Sequence, residues 1–277
     1  AREAYINKEI SKKELLKIES KSYHSPGTCT FYGTANTNQL LLEMMGLMLP
    51  GAAFVNPEDK LRNLFTESAS KRIVDMCKDK DKQNCIGKLV NEKSIVNAIV
   101  GLLASGGSTN LTIHLVAIAR LAGIIINWND FSKLSKVTPI ITSVYPNGEA
   151  DINDFHKYGG TSYLMRELYQ NGLIHNDIKT INENEFKDYT KRAEEKNGVI
   201  IYKNSKTPLN KNILRTVKKP FSSQGGIKLI SGNIGKGIVK ISSVLVKHQK
   251  ICEQAEVYEN PEEFNEAFKK GTLNKNC

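Results

Sequence analysis

The sequence predicts an α/β protein in two parts, a helix-rich part running to about residue 205 and a β-rich part after it. Three observations carry this. Apolar residues recur at helical spacing in successive stretches between Thr37 and Asn171. Near residue 182 the texture turns charged, in ENEFKDYTKRAEEKNG, and then extended, in GVIIYKNSKTPL. From Gly226 apolar residues alternate in GIKLISGNIGKGIVKISSVLV on both sides of a glycine-rich turn, the pattern of paired strands. The second part is too short to close a sheet or barrel by itself, and 277 residues suit one large domain plus part of another.

Taken in order, residues 2–20 read as a polar, charged helix. A Pro-Gly turn leads to Cys29. Thr37 to Met48 has helical apolar spacing and is stopped by Pro50-Gly51. Pro57 to Met76 reads as a helix with Leu61, Leu64, Phe65, Ile73 and Val74 inward. Residues 78–93 form a polar insertion with a short helix. Ser94 to Leu103 and Leu111 to Ala122 are apolar helices interrupted by Gly106-Gly107-Ser108-Thr109-Asn110. Asn129 to Leu134 suits a helix with Asp130 near its cap. ITSVYPNG is a short β-run ended by a turn. Asp151 to Tyr158 and Gly160 to Asn171 read as two further helices, and Asn260 to Lys270 as a short one with proline in its first turn.

The net charge is +10, from 39 basic against 29 acidic residues. The excess is lysine scattered over polar faces, and Lys78-Asp79-Lys80-Asp81-Lys82 alternates in sign as a solvated surface does. RNA-binding aromatic motifs and zinc-finger spacings are absent, so no nucleic-acid partner is expected. A positive field serves a small phosphorylated or carboxylated substrate equally well. No run reaches the length of a membrane helix, since LTIHLVAIARLAGIIINW is broken by His114, Arg120 and Gly123; no membrane partner is expected. The N-terminus lacks the shape of a signal peptide. Five cysteines, an odd number with no CxxC pair, suit a reducing cytoplasm. The chain starts at Ala1 and stops after GTLNKNC, which suggests a piece of a longer protein.

Two stretches can carry chemistry. In Gly106-Gly107-Ser108-Thr109-Asn110, paired glycines and hydroxyls open a helix; free backbone N–H groups there suit an anion, or the stretch is only a capped tight turn. No lysine follows, so it is not a Walker motif. Cys29 sits among Gly27, Thr28, Thr30 and Gly33 just before a helix, where nearby N–H groups stabilise a thiolate that can ligate metal. The alternative is a buried free thiol. Cys77, Cys85 and Cys277 lie in lysine-rich contexts and read as incidental; Cys252 reads as core or edge. A lone histidine in an apolar helix is more often buried and hydrogen-bonded than catalytic. His114, His24, His156 and His175 stand alone, and none is assigned as acid or base.

CTFYGTANTNQLLLEMMGLMLPGAAFVNP (Cys29 to Pro57), ASGGSTNLTIHLVAIARLAGI, VYPNGEADINDFHKYGGTSYLMRELYQNGLIHNDIKTI and ISGNIGKGIVKISSV, in that order, resemble the dihydroxy-acid and phosphogluconate dehydratase family over almost the whole chain. Thr-Phe-Tyr-Gly after the cysteine, LPGAAFVNP and GNIGKG are similar to the phosphogluconate branch.

The resemblance implies a parallel-sheet α/β domain with helices, followed by the start of a β-barrel-like domain. Residues 1–205 would be the C-terminal part of the cluster-binding domain, and 206–277 the incomplete start of the β-rich one. It implies a 4Fe-4S hydro-lyase of gluconate metabolism, acting on a small phosphorylated sugar acid, 6-phospho-D-gluconate. Cys29 would be a cluster ligand, and Ser108, Thr109 and Asn110 would line the substrate site; a divalent metal ion is a further candidate, and a homodimer is expected at full length. The alternatives are dihydroxy-acid dehydration in branched-chain amino-acid synthesis and an inactive truncated remnant. The family's other cluster-cysteine motifs and its proposed serine base have no counterpart in this chain, so the chain alone is expected to be inactive.

Overall fold

The computed structural model describes residues 1–21, 29–78, 85–182, 186–204 and 210–274. They fall into two compact units, Ala1–Ser243 and Val244–Cys277.

The predicted first helix is two, α1 (Arg2–Ile6) and α2 (Lys12–Ser20). Lys8 between them adopts φ +61°, outside the helical range, and Ser11 restarts the helix through a capping box with Glu14. Then come α3 (Thr34–Met44), α4 (Lys60–Lys78), α5 (Ile86–Leu89), α6 (Glu92–Ser105), α7 (Leu111–Leu121), α8 (Trp128–Ser135), α9 (Ile152–Lys157) and α10 (Gly160–Gln170). Asp130 serves the start of α8 from inside the helix: its carboxylate accepts the Asn127 N–H, and Asn127 is the cap.

The main core joins α3, α6, α7, α8 and α10 through side chains such as Leu40, Met44, Ile99, Leu102, Leu115, Phe131 and Leu164, all nearly or fully buried. Gly101 lets α3 and α6 approach closely, since a Cβ there would stand 2.8 Å from Met44 Cγ. A smaller core packs Leu61 and Phe65 of α4 with Leu49, Val55 and Ala193. Ile73 and Val74, read as inward, are 56% and 50% exposed: the second half of α4 continues past the small core that its first half covers.

The strands form two hairpins, β1 (Arg192–Lys196) with β2 (Val199–Lys203), and β3 (Ile227–Gly232) with β4 (Gly235–Lys240). Both described ladders are antiparallel, and the expected parallel sheet is not seen among the described residues. The cause is local. Two-residue loops can only return a chain antiparallel, and Asn197 and Gly198 both take positive φ (52° and 75°), as a tight hairpin turn requires. ITSVYPNG makes only isolated bridges, Ile140 to Ser222, Thr142 to Leu214 and Val144 to Ala150. The alternation read through GIVKISSVLV stops as strand at Lys240 and continues as 3-10 turns, and no closed barrel forms among the described residues. β3 is fixed to α8, whose Ser135 hydroxyl donates to the Ile227 carbonyl at 2.7 Å.

In the second unit α11 (Pro261–Lys270) is capped by Asn260, whose side chain accepts the Glu263 N–H at 2.9 Å, and ends at Gly271 with φ +66°. Phe264 packs edge-on against Tyr258 with ring centroids 5.6 Å apart. No described helix is long and apolar enough to cross a membrane.

Candidate functional site at the start of α3

The first turn of α3 fastens two loops, because three polar residues follow its Gly33 cap in the order Thr34, Asn36, Thr37. The Asn36 side-chain amide, 6% exposed, donates to the Cys29 carbonyl at 2.9 Å and the Phe31 carbonyl at 2.6 Å. One side chain thus sets the curvature of the cysteine turn. Thr37 donates to the Gly33 carbonyl at 2.7 Å and accepts the Ser108 N–H at 3.2 Å. The Thr34 hydroxyl lies 3.0 Å from the Ser108 hydroxyl and accepts the Asn110 amide at 2.9 Å.

The glycine loop is shaped for this contact. Gly106 ends α6 in the left-handed region, φ +60°, and a Cβ there would meet Asn147 Nδ2 at 2.4 Å. A Cβ on Gly107 would meet Thr37 Cγ2 at 2.6 Å and Leu102 Cδ1 at 2.8 Å. Asn147 donates to the Gly106 carbonyl at 2.7 Å, Thr142 to the Ser105 carbonyl at 2.8 Å, and Tyr32 to the Ser105 hydroxyl at 2.7 Å. Burial holds the Tyr32 phenol well above its ordinary range, so it serves as a neutral donor.

Cys29 is exposed, with its thiol 3.8 Å from the Phe31 carbonyl. It lines a cavity of about 210 Å³ with Asn36, Gln39, Val55, Arg62 and Asn153 among the other walls. Two charged side chains hold the segment that forms one wall. The Glu43 carboxylate, fully buried on α3, accepts the Gly51 N–H at 2.7 Å and the Ala53 N–H at 3.0 Å. The Arg62 guanidinium donates to the Ala52 carbonyl at 2.9 Å and the Val55 carbonyl at 2.6 Å. Burial pushes the Glu43 carboxyl up to about 7, against the opposing pull of the two N–H bonds.

The remaining sequence candidates divide. Ser108 and Asn110 meet Thr34, and the Thr109 carbonyl accepts the Thr112 hydroxyl at 2.8 Å; none of the three lines the Cys29 cavity. His114 is exposed rather than buried, because its position faces away from the buried stripe of Leu111, Leu115 and Ala119. His175 is exposed, with its backbone N–H and carbonyl both bonded to Asn97. Burial, and then Arg192, lower His156 to about 4. Cys252, read as core or edge, is exposed, since the strand pattern has ended before it. Cys77 and Cys85 are exposed along a separate groove of about 630 Å³. His24 and Cys277 lie outside the described residues.

Among the described residues no three metal-ligating side chains converge. These residues offer a metal or cluster a single thiol, Cys29, exposed beside the cavity, and no complete ligand set. Asn153 lines the same cavity, and its side-chain nitrogen is buried without a hydrogen-bond partner. Sequence reading missed Thr34, Asn36, Thr37, Glu43, Arg62 and Asn153. A usable signal existed for the first three, polar residues clustered directly after a Gly cap.

Residues 1–189 match the N-terminal domain of the dihydroxy-acid/6-phosphogluconate dehydratases, and residues 212–277 match their C-terminal domain. The chain belongs to this family. It is 46% identical to the phosphogluconate dehydratase of Zymomonas mobilis over 99% of its own length and 45% of the relative's. It is 44% identical to that of Escherichia coli K12 over 100% and 46%. It is 33% identical to the dihydroxy-acid dehydratase of Sulfurisphaera tokodaii over 96% and 45%. The chain thus spans about half the length of the curated relatives it matches.

Proposed function

We propose that this chain is part of a hydro-lyase that dehydrates 6-phospho-D-gluconate to 2-dehydro-3-deoxy-6-phospho-D-gluconate, the Entner–Doudoroff dehydration. The observation that carries the substrate is the identity gap: 46% and 44% to two phosphogluconate dehydratases, against 33% to a dihydroxy-acid dehydratase, over nearly the same residues. The dihydroxy-acid reading is correspondingly less supported.

The reaction removes the C2 proton and expels the C3 hydroxyl as water; the enol left behind becomes the C2 ketone. Hydroxide is a poor leaving group, and a bound 4Fe-4S cluster would supply a Lewis-acidic iron toward that oxygen. Within this chain Cys29 holds one corner of the cluster site and Asn36 fixes the direction of the cysteine. Glu43 and Arg62 keep the facing wall rigid. Ser108, Thr109 and Asn110 line or floor the substrate site, with Ser108 and Asn110 held by Thr34 and Thr37. The remaining cluster ligands, the base that takes the C2 proton and any divalent ion belong to polypeptide beyond this chain, which alone is inactive. The domain division at 205/206, the parallel sheet and barrel of the complete protein, its homodimer and its cytoplasmic location belong to the same reading.

The test is anaerobic turnover by the full-length protein, comparing 6-phospho-D-gluconate with 2,3-dihydroxyisovalerate. Preference for the phosphorylated acid is expected, with Cys29→Ser lowering both iron content and rate. Equal or better turnover of the dihydroxy acid sinks the substrate assignment. Unchanged iron in Cys29→Ser sinks the ligand, and activity of the 277-residue chain alone sinks the division of labour.

A further inference from the structure

We infer that Arg62 binds an oxyanion of the substrate, its phosphate or its carboxylate, in the Cys29 cavity. The inference rests on the reading of that cavity as part of a dehydratase site. The lining has a definite chemistry. Asn36, Gln39, Asn56 and Asn153 supply side-chain amides and Arg62 supplies a cation; among the described residues that line the space there is no carboxylate. A fixed cation among amides, with no acid facing it, complements an anionic, hydroxyl-rich ligand.

The guanidinium is oriented and left without a counter-charge. Its Nε donates to the Val55 carbonyl at 3.2 Å, and its Nη2 donates to the Ala52 and Val55 carbonyls at 2.9 and 2.6 Å. These bonds hold the plane of the fork and leave Nη1 without a partner among the described residues. The Asp59 carboxylate, just ahead of α4, accepts the Leu61 N–H at 2.9 Å and forms no ion pair with Arg62. Burial lowers the Arg62 guanidinium from its ordinary range, with no carboxylate opposing the loss of water. The surrounding field has the same sign. His156, a turn along α9 from Asn153, is lowered first by burial, then by Arg192 and, more weakly, by Arg62, with Asp59 opposing. Two guanidiniums against one carboxylate therefore bear on the α9 side of the cavity, and positive potential is left for an arriving anion to neutralise.

The experiment is calorimetric binding to the full-length protein with a pair of probes. D-Glucitol 6-phosphate carries the phosphate alone, and D-gluconate carries the carboxylate alone. Arg62→Met, which keeps an apolar stem and removes the charge, is expected to weaken one of the probes roughly tenfold or more, the scale of a lost hydrogen bond to a charged group, and to spare the other. The probe that weakens names the oxyanion that Arg62 holds. Arg62→Lys, which keeps the charge as a point without the planar fork, is expected to fall between Met and the unsubstituted protein.

Failure of both probes to bind overturns the inference, as do affinities that Arg62→Met leaves unchanged. An equal loss for both probes also overturns it, since a displaced wall does not choose between them. Should the Met variant lose its fold, the unsubstituted protein decides. Phenylglyoxal modification of Arg62, followed by peptide mass spectrometry, must slow when the tighter probe is bound, while Arg120, exposed in the last turn of α7, keeps its rate. An Arg62 rate that the probe does not change overturns the inference. Failure of the substrate reading shows separately, as full-length protein that binds a probe through Arg62 and does not turn over 6-phospho-D-gluconate.

Discussion

The cysteine turn and the glycine loop are fastened to the same helix end by different means. The cysteine turn meets α3 through one side chain, Asn36, which reads two backbone carbonyls, while backbone bonds from Ile152 to Thr30 and from Tyr32 to Tyr145 tie it elsewhere. The glycine loop is held by overlapping hydroxyl bonds from Thr34 and Thr37 and by Gly107, so close to Thr37 of α3 that a methyl group would not fit. The attachment to α3 is single in the first case and redundant in the second. Its exposed thiol makes the first the more adjustable half; its packing makes the second a rigid platform.

The largest effect is expected outside both loops, at the Glu43 clamp on Gly51 and Ala53. Glu43→Ala leaves the part-buried Gly51 and buried Ala53 N–H groups without their acceptor and should cost about 2–6 kcal/mol in urea unfolding, since each such orphan costs about 1–3. Its pH signature has a definite sign. The Glu43 carboxyl titrates at about 7 when folded and at 4.5 ordinarily, so the folded state holds the extra proton between those values. Stability from this group is present at low pH and is lost as pH rises from 4.5 to about 7, by up to roughly 3 kcal/mol. His156, lowered to about 4, acts in the opposite sense and loses stability as pH falls from 6.5. Glu43→Gln should abolish the first trend and leave the second; an unaltered pH–stability curve in Glu43→Gln would disprove the assignment.

At the platform, Gly107→Ala should cost about 1–3 kcal/mol, because Thr37 and buried Leu102 must move. Hydrogen exchange at the Ser108 amide should quicken with it, and a variant as stable as the parent would show that the platform is not tightly packed. At the cysteine turn, Asn36→Ala should cost about 1–2 kcal/mol, the net value of two hydrogen bonds. It should change alkylation of Cys29 without altering exchange at Ser108; a coupled change would mean that the two attachments are not independent. The smallest effect is expected for Thr34→Val, below about 1 kcal/mol, since Ser108 keeps its bond to Thr37. A loss as large as that of Asn36→Ala would remove the claimed redundancy.

Much of the architecture was legible because local rules decided it. The amphipathic stretches became α6, α7 and α10 close to the limits read from their spacing, and the GNIGKG turn became a hairpin. The parallel sheet was an inference from kinship, while the described ladders are set by two-residue turns. Ile73 and Val74 misled because periodicity reports a face and not whether anything covers it. Cys29 stood out as a thiol outside an apolar run. Glu43 did not, because a carboxylate in LLLEMMG reads as a solvated position until the turn that folds back onto it is known. Asn153 was illegible for a similar reason: its interest lies in an atom without a partner, which only the arrangement in space reveals.

Asn36 recognises its loop through main-chain oxygens, and that choice separates letters from length. Thr30 and Phe31 can be exchanged without disturbing what the amide grips, and Phe31 is already 54% exposed. One residue added or deleted between Cys29 and Asn36 would bring the wrong carbonyls to the amide and turn the sulfur away from its cavity. The stretch works as a ruler of seven steps, tolerant of spelling and intolerant of counting errors.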